Sequence, residues 1–335
     1  MKLGKLSESV LNRSILKPIK TKGDFALCGA AVGNDCALFA LSDGASLATA
    51  MQEGALAVEA YPCGFPVSNL IHKAVNNLLV KYAKPLGIEL CFLFPEELEE
   101  ARVKQVSAEV KACCDTLGID VFGGQSCVSA QVKAPFAVVT AYGEVSAEHM
   151  AAAGQELRPG MEIVLSKWIG LEGTALLAGR FKDRLQERFP TSLVEEAESF
   201  GNYLSLIPEA ATAVKSGVCR MHDASKGGIL GALWELAQGA GVGLNMDFKK
   251  LPIRQETVEV CEELGVNPYK LLSGGCLIMV TDRAAGLVEE LSAQGIPAVS
   301  IGTITAQNDR VLHNEEELRY LEKAGQDEIY RIFAM

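Results

Sequence analysis

Histidine and aromatic side chains are scarce in this 335-residue chain, with four His and only 6% Phe, Trp and Tyr. So few imidazoles, and no Cys-x-x-Cys pair among ten cysteines, exclude a zinc framework. Positive charge is short as well: 31 Lys and Arg face 42 Asp and Glu, a formal net charge of −11. Nucleic acid is therefore not an expected partner, because neutralising its backbone needs a dense basic face. No apolar run approaches the ~18 residues of a membrane-spanning helix, and Met1–Asn12 lacks the apolar centre of a signal peptide. The expected address is the cytoplasm. Low-complexity segments and short-period repeats are missing too. None of these absences excludes a nucleotide, whose few phosphates need only a local cradle.

What is present is an apolar, glycine-rich chain: 49% hydrophobic residues and 32 Gly. That mixture suits α/β architecture, in which small residues let helices lie close on a sheet. The length points to two domains at roughly 100–200 residues each. The cysteines stand mostly in apolar stretches, so they are expected to be buried, reduced thiols.

Periodicity organises the first half. Phe25–Val32 and Cys36–Leu41 read as strands split by Gly33-Asn34-Asp35. Pro66–Tyr82 carries Val67, Leu70, Ile71, Ala74, Val75, Leu78 and Leu79, the spacing of a helix face. Ile88–Phe94 reads as a buried strand and Pro95–Leu117 as a helix, with Glu96, Glu97, Glu99 and Glu100 in its first turns. Ile119–Phe122 and Pro135–Val145 are further strands around Gly123-Gly124. A boundary falls at about 146–160, giving domains of 1–150 and 151–335. In the second half, Met161–Ser166, Cys219–His222, Val242–Phe248 and Cys276–Thr281 read as strands, and Gly228–Gly239, Arg283–Gln294 and Glu315–Ala324 as helices.

Polar, glycine-marked spots interrupt this pattern. In the first half they are Gly33-Asn34-Asp35, Ser42-Asp43-Gly44, Asn76-Asn77 and Gly123-Gly124-Gln125-Ser126. Singly, each is explained as well by a turn or a cap; together, at strand ends and on one helix, they can converge on a pocket. The second half adds Met221-His222-Asp223-Ala224-Ser225-Lys226-Gly227-Gly228, a strand entering a helix through a glycine turn. Such a helix start can cradle a phosphate, with Lys226 adding positive charge.

In order and spacing these motifs resemble the AIR synthase (PurM-like) superfamily. His222-Asp223 through Gly228, Trp234-Glu235-Leu236-Ala237 and Gly241-Val242-Gly243 resemble its C-terminal domain, as does the Ile169–Thr174 turn. Gly33 to Leu38, Ser42-Asp43, Asn76-Asn77 and Gly123–Ser126 resemble its N-terminal domain, and Leu3–Leu6 with Leu16-Lys17-Pro18 is similar to the HypE-like branch. The resemblance implies a two-domain α/β fold in which N-terminal domains pair into a dimeric β-barrel beside a C-terminal α/β domain. It further implies ATP with Mg2+, an unidentified small-molecule substrate whose oxygen is activated by phosphorylation, and a homodimer. Asp35 and Asp43 would hold the metal, with Gly33, Asn34, Asn77, Gly123, Gly124, Gln125 and Ser126 around the phosphates. Lys226, Gly227 and Gly228 would face the same cleft, and Asp43 and Asp223 would be the catalytic acids.

The departures are equally definite. Amides replace family carboxylates at Asn34, Asn77 and Gln125, and Ser273-Gly274-Gly275 stands where another acid is expected. Asp35 and Asp43 alone can still suffice for magnesium, which needs one or two carboxylates besides phosphate and water. No cysteine follows Cys276, so the tail thiol that HypE-like proteins modify is not expected here. Two functions stay open: an ATP-dependent enzyme with a weakened metal site (thiamine-phosphate kinase being a minor variant), or a catalytically degenerate nucleotide- or metabolite-binding homodimer.

Overall fold

The computed structural model describes residues 7–18, 26–29, 31–34, 36–41, 44–58, 63–153, 155–323 and 325–333. The chain divides into two compact units, one of Lys22–Gly29 and Asp35–Ala147, the other of Met1–Thr21, Ala30–Asn34 and Glu148–Met335. Asp35 and Asp43, the expected metal ligands, lie outside the described residues.

In the first of these units the strands are β1 (Ala26–Cys28), β2 (Cys36–Ala40), β3 (Ser46–Ala55), β4 (Lys84–Phe94), β5 (Asp120–Val128) and β6 (Phe136–Val145). Among the described residues they form one sheet in the order β1-β2-β3-β6-β4-β5, antiparallel except for β4 with β5. In the chain's helix numbering, α1 (Glu8–Leu11) belongs to the other unit, while α2 (Val67–Leu79) and α3 (Glu100–Leu117) belong here. Leu70, Ile71, Ala74 and Leu78 of α2 are fully buried, and α2 packs on β3 and β6. Ala48, Ala50, Ala137, Val139 and Ala141 are buried at alternate positions of those strands, as a period of two requires. Small residues there let the helix come close, and each buried Leu or Ile contributes roughly 1.5–3 kcal/mol.

The other unit is built on β7 (Glu162–Ser166), β8 (Arg220–Ala224), β9 (Gly243–Asp247), β10 (Cys276–Thr281), β11 (Ala298–Thr305), β12 (Arg310–Asn314) and β13 (Glu317–Tyr320), in the order β13-β12-β9-β11-β7-β10-β8. Its helices are α4 (Ala147–Ala153), α5 (Leu171–Arg180), α6 (Lys182–Gln186), α7 (Thr191–Ser199), α8 (Ile207–Lys215), α9 (Gly228–Ala240), α10 (Gln255–Leu264), α11 (Ala284–Ser292) and α12 (Glu328–Phe333). Every residue of β10 is buried, so this strand reads as a continuous apolar run. One apolar core lies between the sheet and α9. A second joins Leu177, Val194, Val260 and Leu271 to Ile329 and Ile332 of α12.

Several expectations are corrected. Gly123-Gly124 is no turn between strands: it runs inside β5, where Gly124 pairs with Leu90 so closely that a Cβ would overlap the Leu90 carbonyl. The first strand is confined to Ala26–Cys28 among the described residues. Helix α3 starts at Glu100, so Glu96 and Glu97 precede it, and Glu99 is its N-cap. The expected Glu315–Ala324 helix is instead the second arm of a hairpin. Asn314 pairs with Glu317 across Glu315, whose φ is +57°. Its glutamates favour helix locally, but pairing with β12 outweighs that preference. Nor are all thiols buried: Cys63 and Cys127 are exposed, and Cys28 and Cys91 are half-buried.

Candidate functional site

Helix α2 carries an unusual load for a buried element. Asn69, Lys73, Asn76 and Asn77 are 7%, 3%, 3% and 2% exposed. At 3.6 residues per turn, positions 69, 73, 76 and 77 share one stripe roughly 100° wide, beside the apolar stripe that meets the sheet. The Lys73 ammonium stands 4.5 Å from the centre of the Phe65 ring, a cation–π contact that fixes where the charge sits. The N-terminus of α2 is closed by Glu109, which accepts from the Ser68 backbone N–H (3.0 Å) and its hydroxyl (2.6 Å). Gln125 and Ser126 lie on β5, all nine residues of which are exposed, paired with Cys91 and Phe92 of β4.

In the other unit, β8 delivers His222 and Asp223, each 6% exposed, to the start of α9. His222 Nε2 is 3.5 Å from Glu235 Oε2 on α9. The Gly33-Asn34 turn comes to this same helix. A Cβ on Gly33, whose φ is +75°, would stand 2.6 Å from the Glu235 carbonyl, so glycine lets the turn lie on α9. The structure therefore gathers Gly33, Asn34, His222 and Glu235 around α9.

The glycine turn itself is already used. The Gly227 N–H donates to Asp327 Oδ2 (2.6 Å), and the Gly228 N–H to the Ser225 carbonyl (3.1 Å). Asp327 also accepts from the N–H groups of Leu272 (3.2 Å) and Ile329 (2.9 Å). A carboxylate is the natural partner of a helix N-terminus, and here the C-terminal segment supplies it. Lys226, half-buried, adjoins this turn. A cavity of about 490 Å³ opens beside it, lined by Phe248, Tyr269, Lys270, Arg319 and Lys323 among others. Its cations pair with Glu322 (3.8 Å), Glu317 (2.6 Å) and Glu8 (3.1 Å) at the surface.

Two further acids are buried. Glu209 accepts from Lys167 at 2.6 Å, and that ammonium also donates to the Tyr203 and Ser205 carbonyls at 2.7 and 2.9 Å. Glu172 is fully buried against Gly274, where a Cβ would overlap its carboxylate. Cys276, near the ion pair, has its thiol pushed well up by burial, with Lys167 opposing and Glu209 reinforcing the shift. Burial likewise pushes Cys261 and Cys113 up to about 12. Protonated thiols of this kind are poor nucleophiles at neutral pH.

Among the described residues no group of three or more His, Cys, Asp and Glu is placed to hold a metal ion. The α2 stripe offers amide oxygens and an ammonium, a donor set that does not fit a hard divalent cation.

Sequence comparison agrees with this arrangement of two units. Residues 33–145 match the AIR synthase related protein, N-terminal domain, and residues 158–314 the AIR synthase related protein, C-terminal domain. The chain belongs to this AIR synthase-related, PurM-like superfamily. Within it the chain is HypE-like. It is 27% identical over 254 residues to carbamoyl dehydratase HypE of Cupriavidus necator, covering 75% of this chain and 70% of that protein. It is 26% identical over 260 residues to HypE of Azotobacter vinelandii, covering 76% and 74%. The fold is shared with E. coli HypE (TM-score 0.71, 21% identity, 84% of this chain and 86% of that one). It is shared also with a hydrogenase maturation protein HypE solved in complex with ATP (TM-score 0.70, 19% identity, 98% and 97%).

Lys73 and Asp327 were not singled out from sequence. For Lys73 a signal existed: a lone cation in an apolar helix, one turn before Asn77. Asp327 is one hundred residues from Gly227, and no local pattern marks it.

Proposed function

We propose that this protein binds ATP and uses it to activate an oxygen of an amide or other small molecule by phosphorylation. The main support is that both halves of the AIR synthase-related pattern are present in order, over 33–145 and 158–314. A HypE of the same fold was solved with ATP, and the curated relatives are carbamoyl dehydratases. In this reading residues 1–150 serve nucleotide binding and dimerisation, and residues 151–335 form the second domain. Asn34, Asp35, Asn77, Gln125 and Ser126 would meet the phosphates, and Asp43 and Asp223 would act as acid or base. No step is assigned to magnesium. Calorimetric titration with ATP and ADP, in magnesium and in EDTA, followed by phosphate release, tests this. Binding with turnover on addition of an amide substrate is expected; no nucleotide binding under either condition would sink it.

A second reading has its own observation. The amides at Asn34, Asn77 and Gln125 favour a homodimer that binds nucleotide without turnover, and binding with no phosphate release in any condition would select it. Both readings share the dimer. Strand β5 is exposed throughout and carries Val121, Phe122 and Val128 at 47%, 54% and 65% exposure, a surface that pairing would cover. Phe122→Glu should shift the sedimentation coefficient from dimer to monomer.

A further inference from the structure

The cavity of about 490 Å³ beside the glycine turn is walled from a single unit, by residues between Gly227 and Gln326. Its volume falls in the usual range of small-molecule sites. Part of the lining is apolar: Leu312 and Leu321 are buried there, with Leu230. Phe248 and Tyr269 add an aromatic wall, their ring centres 4.4 Å apart. Asn314 and Gln326 contribute amides, which both donate and accept.

The rest of the lining is positive. Lys270, Arg319 and Lys323 outnumber its one acid among the described residues, Glu322, in a chain of net charge −11. These cations are 44%, 64% and 50% exposed, so the charged part of the cavity opens to water. Each meets one carboxylate, but an ammonium carries three N–H groups and a guanidinium five. Exposed pairs of this kind are weak, and an incoming anion can share or replace such a partner. Gly227, at the cavity's edge, is held by the Asp327 carboxylate, which would repel a polyphosphate. A flat apolar body with one negative charge fits this combination better than a nucleotide does.

We propose that this cavity is a second ligand site, apart from the nucleotide site, and takes a small aromatic carboxylate. Its ring lies against Phe248, Tyr269 and the leucines, and its carboxylate meets Lys270, Arg319 and Lys323 at the mouth.

Naphthoate is a suitable probe, with uncharged naphthamide as its twin. Titration of the wild-type chain, followed by ligand-observed NMR, should give a dissociation constant for naphthoate of about 1 mM or tighter. Naphthamide should bind several-fold more weakly. Arg319→Gln with Lys323→Gln should weaken naphthoate about tenfold, and Tyr269→Leu about fivefold. Saturating ATP should leave naphthoate binding unchanged. The inference falls if naphthoate fails to bind at about 10 mM, if naphthamide binds as well, or if ATP displaces it. Wild-type affinity in the double variant would overturn it too. Should Tyr269→Leu not fold, the double variant, altered only at exposed side chains, decides alone. A failure of the chain to bind nucleotide would sink the function proposed above and leave this site standing.

Discussion

Replacing Asp327 by Ala removes a carboxylate that ties the C-terminal segment to the glycine turn. Three backbone N–H groups lose their acceptor: Gly227 at 2.6 Å, Ile329 at 2.9 Å and Leu272 at 3.2 Å. Leu272 and Ile329 are fully buried, so neither reaches water afterwards, and each is expected to cost about 1.5–2 kcal/mol. Gly227 is half-buried and can recruit a water, so about 0.5–1 kcal/mol is assigned to it. The total is about 3.5–5 kcal/mol, the size of a severe single substitution. Asp327→Asn keeps one oxygen but turns an N–H₂ toward a donor, and should cost about 2 kcal/mol. Both tryptophans, Trp168 and Trp234, lie in the same unit as Asp327, so their fluorescence in urea follows the unfolding of that unit. A midpoint in Asp327→Ala equivalent to less than about 0.5 kcal/mol of destabilisation would refute the reasoning, because orphaned buried donors cannot be that inexpensive.

Three further expectations follow from the same geometry. Gly228→Ala should lose about 3 kcal/mol or more in urea unfolding, since its φ is +66° and a Cβ would stand 2.5 Å from the Tyr269 carbonyl; Gly241→Ala, with φ +67° and open space around it, should lose only about 1 kcal/mol, and equal losses would contradict the clash. Glu209→Gln should cost about 3–5 kcal/mol by stranding the buried Lys167 charge, with part recovered in Lys167→Met/Glu209→Leu; an effect near zero would mean that the pair is hydrated. Burial pushes the Cys261 thiol up to about 12, so the native state holds its proton more tightly than the unfolded chain does. That contribution is intact below pH ~9 and is lost as pH rises toward ~12, amounting to roughly 1–1.5 kcal/mol at pH 10, and the alkaline decline should be shallower by this share in Cys261→Ala. Identical declines in the two proteins would count against burial as the cause.

Much of the fold was legible because it rests on local periodicity. The apolar spacing that marks α2, the apolar run that marks β6, and the strand–turn–helix at His222–Gly228 are each set within a few residues, and each stands where expected. The hairpin of β12 and β13 was not legible. Glu315-Glu316-Glu317 has the composition of a helix, and only pairing with β12 makes it a strand. Gly123-Gly124 misled for a similar reason, since a turn dipeptide in sequence became extended backbone once Leu90 lay beside it.

By itself, the sequence determined the order of elements, the family to which they belong, and the replacement of acids by amides at Asn34, Asn77 and Gln125. Only the tertiary structure decided which groups lose water and which distant groups meet. It buries Lys73 in the amide row of α2, and it lays the Gly33 turn on the backbone of α9. It also fills the expected phosphate seat at Gly227 with a carboxylate one hundred residues away. Burial and long-range contact arise from how whole elements pack, and no short stretch of chain carries that information.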